Sequence, residues 1–284
     1  MGSNDVPPAH CPSWVVPTSI ALLGVGVLFW DATYILMTRR ALVTKTYGMP
    51  LFALALNVSW ELIYAFYVSE MLLEKLAFAF WLLLDIGLIY TTVKFGPAAW
   101  RLTNPWVGRH IGWIFALMTV VGCWGHYAFA AWWMSEPHRG SGDKTGKFWA
   151  GRDGYDATEV AFWSAAVCQL AGSAGSLAML MSRGHSGGTS YLIWLCRTIG
   201  TLVGLVLANV FLWWFWPEAH GFVFNPFAIF LWGTSLVCDI TYPFVLWQVR
   251  RSEVVLPDGT LAMRMSRPRE AAIAAPENHD KKKQ

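Results

Sequence analysis

MPLFALALNVSWELIYAFYVS, residues 49–69, is a run of twenty-one residues with one charge, Glu61. At a helical rise of about 1.5 Å per residue, roughly 20 apolar residues cross the hydrocarbon core of a bilayer. The stretch reads as a membrane span, and Glu61 is its anomaly. An ionisable group at membrane depth is expensive and marks a functional position by default.

Six comparable stretches flank it, at about 14–37, 76–93, 111–134, 158–182, 191–216 and 222–249. The composition agrees: 55% hydrophobic, 14% charged, eighteen tryptophans and a mean hydropathy of +0.41. These values lie outside the range of water-soluble domains. The expected fold is an all-α integral membrane protein, a seven-transmembrane-helix bundle forming one domain over residues 1–251. Residues 252–284, polar and rich in Pro, Ala and charge, are expected to be a disordered tail. The first span reads as a retained anchor, since its apolar run is too long for a cleavable signal peptide and no Lys or Arg precedes it. Five cysteines, four of them within spans, suggest apolar fillers rather than a disulfide framework. The glycosylation triplet Asn57-Val-Ser59 sits inside a span and counts as a chance match.

Lys and Arg bias sets the expected orientation. Arg39, Arg40 and Lys45, then Lys94, Arg101 and Arg109, then Arg250 and Arg251 follow spans one, three and seven, which places the N-terminus in the lumen and the C-terminus in the cytosol. Loop 135–156, with Arg139, Lys144, Lys147 and Arg152, opposes this. Lys281 and Lys282, fourth and third from the end, read either as a dilysine retrieval signal for the endoplasmic reticulum or as a solvated charge run. The net charge of +3 says nothing of nucleic acid, and no nucleic-acid motif is present.

An acid precedes a tyrosine by three positions at Asp31-Ala-Thr-Tyr34, Glu61-Leu-Ile-Tyr64 and Asp239-Ile-Thr-Tyr242. That spacing puts each carboxyl and phenol on one helix face. Asp85, four residues after Trp81, makes a fourth acid at membrane depth, and Arg197 is the only strong cation there. One cation can satisfy one or two acids; the others are expected to stay protonated in low dielectric, as proton donors. The bland alternative is that they only hydrogen-bond neighbouring helices. Polar stripes at helical spacing, Asn57/Glu61/Tyr64, Gln169/Ser173/Ser176 and Ser235/Asp239/Tyr242, would line a shared cavity. Gly172 and Gly175 read as close-approach positions between helices.

Trp14, Trp100, Trp106, Trp132, Trp133 and Trp216 fall near span ends, as interfacial belt residues do. Trp30, Trp60, Trp81, Trp163, Trp232 and Tyr242 lie mid-span near the acids, where aromatic faces either pack or stabilise cations. His126 is read first as a neutral core histidine, and Arg183 and His185 as part of a cytosolic turn. No His/Cys/Asp spacing suits a metal, and there is neither a DDxxD-type pair for magnesium and diphosphate nor a Gly-rich phosphate loop. No cofactor is expected. Protonation, rather than diphosphate ionisation, is left as the way to start carbocation chemistry.

Asn57-Val-Ser-Trp60-Glu61, Arg183-Gly-His-Ser186-Gly-Gly-Thr-Ser190, Ile193-Trp-Leu-Cys-Arg197 and Cys238-Asp239-Ile-Thr-Tyr242-Pro243 together resemble the fungal membrane-bound terpene cyclases of meroterpenoid and indole-diterpene pathways, the paxilline and pyripyropene type. The resemblance implies a seven-helix cyclase that protonates an epoxide, or a terminal alkene, on a polyprenyl chain carrying an aromatic or indole head, without metal. It implies catalytic roles for Glu61 and Asp239, either of which would be the general acid. Asn57, Tyr64, Tyr242 and Arg197 would support them, with Trp60 and Trp232 stabilising cations and Asp31, Asp85 and Gln169 in supporting places. The chain departs from the compact family pattern in loop 135–156 and its basic tail. The partners expected are a hydrophobic prenylated small molecule and the lipid bilayer.

Two rivals remain from the residues alone. A rhodopsin needs a Schiff-base lysine in the seventh span, and residues 222–249 contain none. A proton-coupled small-molecule transporter is the stronger alternative, because intramembrane carboxyls also build proton relays.

Overall fold

A computed structural model describes residues 2, 4–101, 103–257 and 259–264. Among them are seven helices long and apolar enough to cross a membrane: α1 (Val15–Thr44), α2 (Leu51–Val68), α3 (Leu72–Ala99), α4 (Pro105–Trp133), α5 (Ala157–Arg183), α6 (Tyr191–Phe215) and α7 (Pro226–Ser252). Each corresponds to one predicted stretch. Several run further than predicted, because helices continue beyond the hydrocarbon where polar partners hold them. α1 extends to Thr44, with Arg40 Nε donating to Thr189 O at 3.2 Å.

The polar ends follow capping chemistry. Asn104 and Asn225 each cap a helix that opens with proline, and the Asp156 carboxylate accepts from Thr158 N and Glu159 N at the start of α5. α5 ends on Gly184 in the left-handed region, φ 65°. Two helices widen into π-helical turns, Tyr64–Val68 at the end of α2 and Thr201–Leu207 within α6. Such bulges are rare and concentrate at functional places. Beside the second, α1 and α6 cross at glycine on glycine: a Cβ added to Gly26 would stand 2.5 Å from Gly204 Cα. Small residues allow that approach where lipid supplies no hydrophobic drive.

The outer surface is apolar. Phe66, Trp113, Trp124 and Phe244 are mostly exposed, as lipid-facing side chains are when the solvent is a bilayer. The buried interior instead collects the polar groups.

Residues 135–156 fold into a cap over the N-terminal end of the bundle, carrying the short hairpin β1 (Phe148–Trp149) and β2 (Arg152–Asp153). Lys144 and Lys147 are fully buried in it. Lys144 Nζ lies 2.8 Å from Asp156, 2.6 Å from Glu159 and 2.9 Å from Ala219 O, while Lys147 pairs with Asp5 and Asp156 and approaches His220 Nε2 at 3.3 Å. Burial alone would raise the Asp156 carboxyl, but Lys147 and then Lys144 hold it well below the usual carboxylate range. Burial, with Lys147 beside it, pushes His220 down to about 3.

The consequence for stability has a definite sign. His220 is neutral in the fold but titrates near 6.5 when unfolded, so its contribution is complete above that value and is lost as pH falls toward 3. Asp156 contributes above the unfolded carboxylate range and is lost only below it. A loss of about 2 kcal/mol by pH 5 is expected from His220. It is read as a falling melting temperature in detergent between pH 7 and 5. His220→Gln should flatten that slope, and an equally steep slope in the variant would refute the assignment.

At the opposite end the expected disordered tail does not start at residue 252. β3 (Glu253–Val255) and β4 (Leu261–Met263) pair as an antiparallel hairpin. Glu253 accepts from Ser186 N at 2.7 Å and Ser186 Oγ at 3.0 Å, so a charged residue that composition assigns to solvent is held by a loop distant in sequence. Lys281 and Lys282 lie outside the described residues.

Candidate active site

A cavity of about 530 Å³ lies among α1, α2, α3, α5 and α6. It runs from Asp5, Thr158 and His220 under the cap to Tyr34, Asn57 and Gln169 at mid-bundle. Along α5 its wall extends from Thr158 to Gly172, about 20 Å at the helical rise. Trp30, Trp60, Phe78, Trp81 and Phe162 supply aromatic faces to the wall. Trp60 is locked among them, edge-on to Phe78 at 5.1 Å and tilted against Trp81 at 5.9 Å, with its Nε1 donating to Ser164 Oγ at 3.0 Å.

Two carboxyl centres adjoin the inner end, and they differ in kind. Glu61 on α2 is completely buried. Its Oε1 accepts from Asn57 Nδ2 at 2.8 Å and from the Tyr34 hydroxyl of α1 at 3.1 Å, and Asn57 Nδ2 also donates to that hydroxyl at 2.7 Å. The Asp85 carboxyl of α3 lies beside Glu61. Among the described residues no donor reaches Glu61 Oε2 or either Asp85 oxygen. Two buried carboxyls in contact, with no cation, can bond one another only through a proton they hold between them.

Asp239 on α7 is the other kind. Arg197 of α6 pairs with it at 2.6 Å, and Ser173 Oγ donates to Oδ2 at 3.0 Å. Gln169, in the cavity wall, donates to Ser173 at 2.8 Å. The Gln169/Ser173 stripe of α5 therefore meets Asp239 of α7 and joins this ion pair to the cavity, but of the three stripes expected to line it Asn57 and Gln169 border it, and the other members pack behind the wall.

The three acid and tyrosine repeats do not pair internally. Among the described residues no acid hydrogen-bonds its own tyrosine, because cross-helix partners are better placed than a residue one turn away. Asp31 accepts from Trp81 Nε1 at 2.7 Å. Tyr64 donates to Val160 O at 3.0 Å and accepts from Ser164 at 2.5 Å, and Tyr242 meets Thr189 Oγ1 at 2.8 Å beneath the Arg197 guanidinium. Neither ring borders the cavity, nor does Trp232, whose Nε1 donates to Val223 O at 3.2 Å. Tyr34 takes the place expected of Tyr64. Its signal was in the sequence, three residues after Asp31, but its stripe lies on another helix. His126 is buried beside Cys168 Sγ at 3.8 Å.

Gly172 corrects a second expectation. A Cβ there would meet nothing within 4 Å, because the residue faces the cavity rather than a helix. Gly175 does make the close contact, with Pro50 at 3.3 Å. Gly172→Phe should therefore fold normally yet fill part of the void, lowering turnover of a long substrate roughly tenfold, since a misplacement near 1 Å can cost about 10²-fold. Comparison of rate and detergent melting temperature checks this; unchanged turnover would show that the substrate lies elsewhere.

Residues 3–252 match the family model of the Pyr4-like transmembrane terpene cyclases. The chain is 40% identical over 256 residues to the terpene cyclase ascF of Acremonium egyptiacum, covering 89% of each chain. It is 35% identical to the terpene cyclase dpchB of Colletotrichum higginsianum, over 84% of this chain and 88% of the other. To the terpene cyclase pyr4 of Aspergillus fumigatus it is 31% identical, over 82% and 87%. No solved structure matches the chain. The transporter alternative gains no support from these relatives.

Proposed function

The chain belongs to the Pyr4-like transmembrane terpene cyclases, and from that premise we propose that it cyclises an epoxidised polyprenyl chain attached to an aromatic or meroterpenoid head, starting from a proton that Glu61 supplies. The observation that carries the reading is the contrast between the two acids. Among the described residues Glu61 shares its burial with Asp85 and no cation, whereas Asp239 is tied to Arg197. An uncompensated buried carboxyl keeps its proton and can give it up; a salt-bridged one has already lost it. Asp239 serves instead as a fixed negative charge at the inner end, where it opposes the cost of forming a carbocation nearby. The aromatic wall stabilises the cation as rings close.

The long apolar cavity suits a prenyl chain. Its length of about 20 Å along α5 exceeds what a single ring needs and fits a head lodged under the cap with the reacting terminus at Tyr34 and Asn57. Orientation follows the Lys and Arg bias, N-terminus lumenal and C-terminus cytosolic, in the endoplasmic reticulum. The opposing loop is weakened as counter-evidence by Lys144 and Lys147, which are fully buried and paired.

Microsomes carrying the chain, given epoxy-farnesyl or epoxy-geranylgeranyl phenolic substrates, should form cyclic products of unchanged mass. Failure to cyclise any of them, including the terminal-alkene forms, would sink the reading.

A further inference from the structure

Glu61 does not border the cavity; it is fully buried behind the wall. Two residues bonded to it do border the cavity, Tyr34 and Asn57. An amide N–H cannot be given up at ordinary acidity, whereas a hydroxyl both donates and accepts. We propose that the Tyr34 hydroxyl is the group that protonates the substrate, relaying a proton from a reservoir formed by the Glu61 and Asp85 carboxyls.

The inference rests on the protonation reading above and adds the atoms. As substrate binds, the Tyr34 O–H turns from Glu61 Oε1 to the epoxide oxygen. Its proton moves to that oxygen while the carbon–oxygen bond to the tertiary carbon breaks, leaving a hydroxyl and a carbocation. In the same step the second proton of the carboxyl pair, carried on Glu61 Oε1 on the side away from the one shared with Asp85, moves to the Tyr34 oxygen, so no phenolate forms. Glu61 is left as a carboxylate, held by the Asn57 N–H and by the proton remaining on Asp85. Ring closures end with loss of one proton from carbon to water at the outer end of the cavity, and water returns one to the carboxyl pair. The net change is isomerisation.

Three features fit this geometry. Asn57 bonds both Tyr34 and Glu61 from one nitrogen, which holds the phenol oxygen and the acid together. Trp30 stands edge-on to Tyr34 at 5.9 Å, fixing the ring at the cavity wall. Asp85 leaves both oxygens without a donor among the described residues, a costly arrangement unless a proton is stored there. Asp85 is a positioning residue, acting only through Glu61.

The test compares four variants in microsomes with an epoxy-farnesyl phenol: Tyr34→Phe, 3-fluorotyrosine at position 34, Asp85→Asn and Glu61→Gln. Tyr34→Phe should lower kcat about 100-fold with KM within about threefold, the scale of one lost general acid. The fluorinated phenol keeps the hydroxyl but is more acidic, so it should retain turnover and displace the rate–pH profile. Asp85→Asn, whose amide can donate to Glu61, should lower kcat about tenfold and bring the alkaline fall in rate to lower pH. If Tyr34→Phe stays within threefold of the parent while Glu61→Gln is inactive, the relay is wrong and Glu61 acts directly. If Glu61→Gln itself remains active, the protonation reading fails with it. Should Tyr34→Phe not fold, the fluorinated protein decides, and a rate–pH profile identical to the parent overturns the relay.

Discussion

Glu61→Gln should lower turnover roughly 10²- to 10⁴-fold, the range for removing a general acid, while leaving the protein folded. The substitution is close to isosteric. Glutamine keeps an oxygen where Oε1 accepts from Asn57 and Tyr34, and its amide can donate to Asp85, which has no donor among the described residues. Packing and hydrogen bonding are thus preserved or improved, and only the transferable proton is gone. The melting temperature in detergent should stay within a few degrees of the parent, and kcat and kcat/KM should fall together. Activity within tenfold of the parent would remove Glu61 from the chemistry.

Arg197→Met should act through the fold instead. Asp239 is 1% exposed, and without the guanidinium it keeps, among the described residues, only the Ser173 hydroxyl as a side-chain donor. Stranding a buried charge costs about 3–5 kcal/mol, which should appear as loss of monodisperse protein on detergent extraction. Arg197→Met combined with Asp239→Leu removes both charges and should recover most of that stability without recovering activity. The pair is in direct contact, so the cycle should be strongly non-additive. Equal yields for the single and double variants would show that the ion pair contributes nothing to folding.

The seven helices were legible because a bilayer imposes a length and a composition on each span, and residues 49–69 carry both. The polar stripe of Gln169 and Ser173 was legible too, since helical spacing places them on one face and Asp239 lies opposite. What spacing could not tell is which helix each face meets. Tyr34 has no stripe of its own; it became part of the acid centre because α1 carries it against α2. Tyr242 and Trp232 stand near the right residues in sequence and turn to other partners. The cap was harder still. Four basic residues in one loop look like a solvated or cytosolic segment, and only the folded chain reveals that two of them are neutralised by Asp5, Asp156 and Glu159.

The pairing of Asp5 with buried Lys147, together with Gly2 in the cavity wall, makes these two residues a stopper held in the mouth of the cavity by a charge that the cap has already neutralised.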